Sequence, residues 1–302
     1  MFSRKLQFSI SITFLGIILL TNGCTIEKRQ NNTNHAFGVI TDSQYCDIKG
    51  KDVRKFSLSK DKLSNSVNDF NRMNLECVVH LGDFIERDFK NFDVLNLIYN
   101  KLNMPKYHVL GNHDFAVADS LKKDVPNKLG MPSKYYDFQG KGWRFIVLDG
   151  NDISFHAYPK NSDESKKASK YYKQNKITSP KWNGAIGNRQ LSWLRNVIEK
   201  AKRNDEKVII FCHFPVYPPN KHNLWNAEEV IDLIEIYPCV KAYISGHNHK
   251  GGYGIKQGIH YLTLKAMVDT EKTSYAVIRV DGDNINIAGY GREENRNLLI
   301  RK

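Results

Sequence analysis

The sequence predicts an α/β fold, and three observations carry that expectation. Short apolar runs of strand type alternate with longer amphipathic stretches along most of the chain. Strand signals without intervening helices then close it, and polar, chemistry-bearing residues recur directly after the apolar runs. With 302 residues, 41% hydrophobic and 25% charged, the chain has the material for one sizeable core, and its compact apolar runs exclude a largely disordered chain.

Taken in order, the strand candidates are His35–Ile40, Cys77–Leu81, Lys106–Leu110, Trp143–Leu148, Lys207–Cys212, Val240–Ser245, Gly258–Leu264, Ser274–Val280 and Asn284–Ala288. Asp281-Gly282-Asp283 between the last two is a hairpin turn signal. Helical patterns with apolar residues three and four apart run over Leu63–Met73, Phe92–Leu102 and Gln190–Ala201, and a shorter one over Glu228–Ile236. The clearest stripe is Leu191, Leu194, Val197, Ile198 and Ala201, the apolar face of a helix packed on a core. The segment from Asn151 to Gly187 is long, polar and lysine-rich, with little periodicity; it reads as a functional loop. No internal repeat and no further domain boundary is visible, so residues 35–302 read as one domain.

The first 23 residues read as a leader outside that domain. Arg4 and Lys5 form a positive start, Phe8–Leu20 is uncharged, and Thr21-Asn22-Gly23 ends in a small residue before Cys24. The stretch is shorter than the roughly 20 apolar residues a membrane span needs, so a secretory signal fits better. A cysteine at that place resembles a bacterial lipoprotein signal, which implies cleavage before Cys24, a lipid anchor on it and an exported location. Residues 24–34 follow as a polar, Asn-rich tether. The net charge of +13 favours anionic partners, phosphorylated small molecules among them. The lysines are spread along the chain and no basic stripe interleaves with aromatics, so nucleic acid is not an expected partner. Cys46, Cys77, Cys212 and Cys239 form no CxxC pair, which argues against a cysteine zinc site. Cys77 and Cys212 lie in apolar runs and read as buried small hydrophobes.

Five blocks share one layout, an apolar run followed by polar residues. They are AFGVI before Thr41-Asp42-Ser43-Gln44, CVVHL before Gly82-Asp83, and YHVL before Gly111-Asn112-His113-Asp114. VIIFC precedes His213, and VKAYIS precedes Gly246-His247-Asn248-His249. Each alone has an ordinary explanation: an Asp after a strand usually caps a turn, and a single His is usually packed. His247 and His249 are two apart, so in an extended segment they face the same way. All five together place ligand-type side chains at the carboxyl ends of strands, converging at one edge of a sheet where open α/β folds carry their sites.

The pattern D-x-[HQ], G-D, G-N-H-[DE], H, G-H-x-H resembles the signature of the calcineurin-like metallophosphoesterases. The D-x-Q form of the first block, Asn183-Gly184 ahead of Gln190-Leu191-Ser192-Trp193-Leu194, Leu224-Trp225-Asn226, and Gly246 through Tyr253 are similar to the manganese-dependent ADP-ribose/CDP-alcohol diphosphatases of that superfamily. The resemblance implies a sandwich of two β-sheets flanked by helices and a centre of two divalent ions. One ion would be held by Asp42, Gln44, Asp83 and His249, the other by Asp83, Asn112, His213 and His247. His113 would be the catalytic group, oriented by Asp114, and Asn183, Trp225 and Tyr253 would line the nucleotide side of the pocket. His222 stands where that subgroup has cysteine. Asp149, at the end of a strand, is a further candidate for supporting the site; Arg87, near Asp83, is within reach of phosphate but reads first as an exposed surface arginine. An amide oxygen at Gln44 is a harder ligand than imidazole, which favours Mn²⁺ or Mg²⁺ over Zn²⁺; Mn²⁺ is the leading expectation, with Mg²⁺, Fe and Zn²⁺ as alternatives.

The reaction so implied is hydrolysis of the phosphoanhydride in a nucleoside diphosphate derivative. A phosphomonoesterase or a cyclic-nucleotide phosphodiesterase using the same residues is the alternative, and a ligand-binding surface lipoprotein with a vestigial site is a third.

Overall fold

The structure, a computed structural model, describes residues 35–300. The leader and tether lie outside those residues. No described helix is long and apolar enough to cross a membrane.

The chain enters through β1 (His35–Ile40), crosses back through α1 (Ser59–Asn71) to β2 (Cys77–His80), and through α2 (Asn91–Tyr99) to β3 (Lys106–His108). β1, β2 and β3 are parallel neighbours. A short helix α3 (Val125–Lys128) leads to the hairpin β4 (Tyr136–Gly140) and β5 (Trp143–Val147), which begins a second sheet. Helices α4 (Asp163–Gln174) and α5 (Asn188–Arg203) precede β6 (Lys207–Phe211). Then α6 (Ala227–Glu235), β7 (Val240–Ser245), β8 (Lys250–Lys256) and β9 (Ile259–Lys265) complete that sheet in the order β4-β5-β6-β7-β9-β8. The last strands, β10 (Ser274–Val280), β11 (Asn284–Gly291) and β12 (Arg296–Leu299), return to the first sheet, giving the order β12-β11-β10-β1-β2-β3. The result is the two-sheet sandwich that the resemblance implied, each sheet with six strands.

Strand alternation explains the layering. Phe37 and Val39 of β1 meet Phe145 and Val147 of β5, and Phe211 of β6, between the sheets. On the outer face of the first sheet, Ile40 and Val78 pack under Leu63, Val67 and Phe70 of α1 and Leu95 of α2. On the outer face of the second, Val208 and Ile210 receive the α5 stripe Leu191, Leu194, Val197, Ile198 and Ala201. Strands covered on both sides must be apolar at consecutive positions, and VIIF and CVV are.

Three strands and one long helix were not visible in the sequence. β4 and β12 are short edge strands, and β8 is glycine-rich, so none shows a period-two pattern of useful length. Helix α4 lies inside the segment expected to be a loop; it buries only Ala168, so it has no apolar stripe to read. The hairpin turn is as expected, with the Asp281 carboxylate accepting from the amides of Asp283 and Asn284. The four described cysteines are all free thiols, with Cys77 and Cys212 buried.

Candidate metal centre

All five blocks sit at carboxyl ends of parallel strands, yet they belong to two sheets. Asp42 and Gln44 follow β1, Asp83 follows β2 and Asn112 follows β3, whereas His213 follows β6 and His247 and His249 follow β7. The residues therefore meet across one end of the sandwich, and the single sheet edge expected from the sequence is corrected to an edge shared by two sheets.

The backbone there is held in an uncommon conformation. Asp42, Gln44, Asp83 and His247 all have positive φ, at 51°, 42°, 54° and 65°. Each such non-glycine residue is disfavoured by about 1–3 kcal/mol, and packing elsewhere must hold it there. Two glycines make the close approach possible: a Cβ on Gly111 would run into the Asp83 carboxylate and amide, and one on Gly246 into Thr41 Oγ1.

Asp114 is part of that scaffold. Its carboxylate accepts from the backbone amides of Asp83 (3.1 Å), Phe84 (2.8 Å) and Gly111 (2.9 Å), which ties the Asp83 loop to the Gly111 loop. The expectation that Asp114 orients His113 is corrected: the carboxylate against the imidazole is Glu86, with Oε2 3.0 Å from Nδ1. An acidic side chain three residues after Asp83, able to reach back over the loop, was the signal available for it.

Each of the three histidines has one ring nitrogen committed and the other turned into the site. His213 donates from Nδ1 to the Leu81 carbonyl at 2.8 Å, leaving Nε2 3.3 Å from Asp83 Oδ2 and 3.1 Å from His247 Nδ1. The Asn183 amide donates to the Lys221 carbonyl, so its Oδ1 faces His247 and accepts from Nε2 at 2.9 Å. That leaves a lone pair on His247 Nδ1. His249 donates from Nδ1 to Asp269 Oδ1 at 2.9 Å and turns Nε2 to Asp42 Oδ1 at 3.5 Å. Tying the remote nitrogen in this way is how proteins fix histidine ligands for a metal.

The electrostatics agree. Burial by itself would push Asp83 up, but His213 and His113 beside it hold its carboxyl well below the ordinary range. Burial by itself would lower His213, and the facing Asp83 charge instead raises it to about 9. Burial and the neighbouring His213 keep His247 well below its ordinary value. The ligand atoms of Asp83, His213 and His247 lie within 4.8 Å of one another, and an ionised carboxylate facing two imidazole nitrogens suits a divalent cation. Three further oxygens are buried without a hydrogen-bond partner: Asp42 Oδ1, Gln44 Oε1 and Asn112 Oδ1. Buried acceptors of this kind are costly unless something binds them. The donor set of oxygens and imidazole nitrogens suits two divalent ions.

The cavity over these groups measures about 250 Å³ and also reaches His113, Arg54, Trp182 and His222. Arg54 and Trp182 did not stand out in the sequence; one is an ordinary loop arginine, and the other precedes Asn183 in a segment read for its Asn-Gly. The residues expected on the nucleotide side are placed differently. Asn183 is fully buried behind His247. Trp225 packs its indole against Phe155 and Tyr172 and donates to the Pro180 carbonyl. Tyr253 lies on β8 and hydrogen-bonds His260. None of Asn183, Trp225 and Tyr253 lines the cavity, because the loops that carry them turn away to pack. Asp149 is buried and accepts from the Asn151 side chain, which also donates to the Leu110 carbonyl just before Gly111. Arg87 is exposed on the surface and away from the cavity lining.

Comparison with known proteins fits this geometry. The profile of the family described as calcineurin-like phosphoesterase matches residues 37–251. The chain is 29% identical to the manganese-dependent ADP-ribose/CDP-alcohol diphosphatase of Oryza sativa subsp. japonica, over 90% of this chain and 96% of that protein. It is 26% identical to the Homo sapiens protein of the same name, over 88% of this chain and 93% of that one. Among solved structures, a dimetal phosphatase from Danio rerio superimposes with a TM-score of 0.79 at 26% identity, covering 88% of this chain and 99% of that chain.

Proposed function

The chain belongs to the calcineurin-like phosphoesterase family, and from that premise we propose that it hydrolyses the phosphoanhydride of nucleoside diphosphate derivatives of the ADP-ribose and CDP-alcohol type. The observation that carries this reading is the set of buried ligand atoms without partners, Asp42 Oδ1, Gln44 Oε1 and Asn112 Oδ1, around the Asp83–His213–His247 cluster. Asp42, Gln44, Asp83 and His249 would hold one divalent ion, and Asp83, Asn112, His213 and His247 the other. When bound, such a pair supplies Lewis acidity to the phosphate oxygens and to the attacking water. The manganese dependence named for the relatives, together with the amide ligands Gln44 and Asn112, supports Mn²⁺.

The chain's own residues do the rest. His113 Nδ1 faces Glu86, 3.3 Å from its backbone carbonyl and 3.0 Å from carboxylate Oε2, which leaves Nε2 free for the substrate. Burial by itself would lower the His113 pKa, but the charges of Asp83 and Glu86 raise it to about 9. A protonated imidazole in the cavity can hydrogen-bond a phosphoryl oxygen and hand its proton to the leaving phosphate. Arg54 presents a guanidinium suited to a second phosphate. His113 acts on the reacting atoms and is the catalytic residue; Glu86, Asp114, Asn183 and Asp269 are positioning residues.

The test is a substrate panel with Mn²⁺ comparing ADP-ribose, CDP-choline, a UDP-sugar, a cyclic nucleotide and a simple monoester. The diphosphates should be cleaved fastest, each to two phosphomonoesters, with turnover abolished in Asp83→Ala. If the monoester or the cyclic nucleotide is cleaved faster than every diphosphate, the substrate assignment is wrong.

We propose further that the protein is exported and carries a lipid on Cys24, a reading supported by the leader sequence. Metabolic labelling with palmitate should mark the wild-type chain and not Cys24→Ser. An unlabelled wild-type chain retained in the cytoplasm would rule it out.

A further inference from the structure

The lysine-rich segment between Asn151 and Gly187 takes no part in the chemistry above, yet it builds a cavity of its own. Helix α4 has Ala168 as its only buried residue. One of its flanks is occupied: Tyr172 packs edge-on against Phe155 and Trp225. The other flank faces the 152–158 segment across a cleft of about 440 Å³, walled by Lys167, Lys170, Tyr171, Tyr158 and Ile153. Sites for small organic ligands are commonly of that size.

The charges in the cleft are unequally committed. Its two acidic members are Asp152 and Glu164. Asp152 is engaged, since its carboxylate accepts from the Gly187 amide at 3.0 Å and from Gln190 Nε2 at 3.2 Å. Glu164 lies in the first turn of α4, where the helix dipole already favours a negative charge. Lys167 and Lys170 have no ion partner among the described residues. A third ammonium is close by: Lys134 Nζ stands 4.5 Å over the Tyr158 ring and 3.4 Å from its hydroxyl. Two tyrosine rings beside three lysines offer planar contact and positive charge together, which matches a ring-bearing phosphate.

We propose that this cleft is a second binding site, distinct from the metal centre, for a small phosphorylated molecule with an aromatic ring, of the nucleoside monophosphate class. Lys167 and Lys170 bind the phosphate, and the ring packs beside Tyr158 and Tyr171 in the cleft wall. The reading of the metal centre generates that class as a product, so the site would sense product. A physical connection to the centre exists. Ile153, in the cleft wall, exchanges two backbone hydrogen bonds of 2.9 Å with Ala185, two residues from the Asn183 that holds His247.

The experiment is calorimetric titration of metal-free protein in EDTA with AMP, adenosine and inorganic phosphate in separate arms. This keeps it independent of whether the metal centre cleaves diphosphates. AMP should bind more tightly than either adenosine or phosphate. The double variant Lys167→Ala/Lys170→Ala should weaken AMP by about tenfold or more, equivalent to about 1.4 kcal/mol, and leave basal turnover with Mn²⁺ unchanged. Tyr171→Leu should weaken AMP and spare phosphate. Absence of AMP binding would overturn the proposal. So would AMP binding that survives the double lysine variant and is lost in Arg54→Ala, or phosphate binding as tightly as AMP.

Discussion

At the scale of single residues, the centre is governed by what stands behind each ligand. His247 is aimed by Asn183, His249 by Asp269 and His213 by the Leu81 carbonyl. Replacing such a partner typically weakens metal binding by about 10–100-fold. Asn183→Ala should therefore lose Mn²⁺ affinity to that extent in a direct titration while the fold stays intact; unchanged affinity would show the hydrogen bond to be incidental. His113 has a different role, and its substitution separates the two. His113→Gln should lower kcat by about 10²–10⁴-fold, the usual contribution of a positioned acid, with Mn²⁺ affinity retained. Glu86→Gln should follow the same pattern more weakly. The types of these ligands were legible in the sequence because metal chemistry restricts them to a few side chains. Glu86, Asp269 and the true place of Asn183 were not, since a supporting partner is defined by where a side chain points.

At the scale of elements, strand ends and helix stripes carry the design. Each buried strand is apolar on both faces because a sheet partner covers one and a helix the other, and this made β1, β2, β5, β6 and β7 readable. The α5 stripe was readable for the same reason. Leu194 is fully buried under that helix, and Leu194→Ala should lower unfolding free energy by about 2–5 kcal/mol through lost burial and the cavity left behind. Urea denaturation measures it, and a change below about 1 kcal/mol would mean that the site collapses to refill the space. Helix α4 makes the contrary point. An element that buries one alanine leaves no pattern, although its position along the cleft is well defined once the chain is folded.

At the scale of the whole molecule, several histidines are sealed inside the fold as neutral groups. Burial depresses His108 and His156 to about 3, whereas in the unfolded chain they titrate near 6.5. Below that pH the unfolded state binds protons that the folded state refuses, so these two histidines subtract stability as the solution is acidified, opposite in sign to His113 and His213, whose raised values add it. At pH 5.5 each such histidine should contribute a loss of about 1.4 kcal/mol. Urea midpoints measured from pH 7.5 down to 5 should drop less, or rise more, in His108→Gln than in the wild type; parallel profiles of the two proteins would contradict it. The sequence by itself determined the α/β class, the order of the main strands and the identity of the ligand-type residues, because local periodicity and ligand chemistry are written along the chain. Only the tertiary structure decided that the ligands converge from two sheets, that Glu86 and not Asp114 faces His113, and that Asn183, Trp225 and Tyr253 turn away from the cavity. Those outcomes depend on how two sheets pack face to face and on which backbone amides a buried carboxylate reaches, and neither has a local signature.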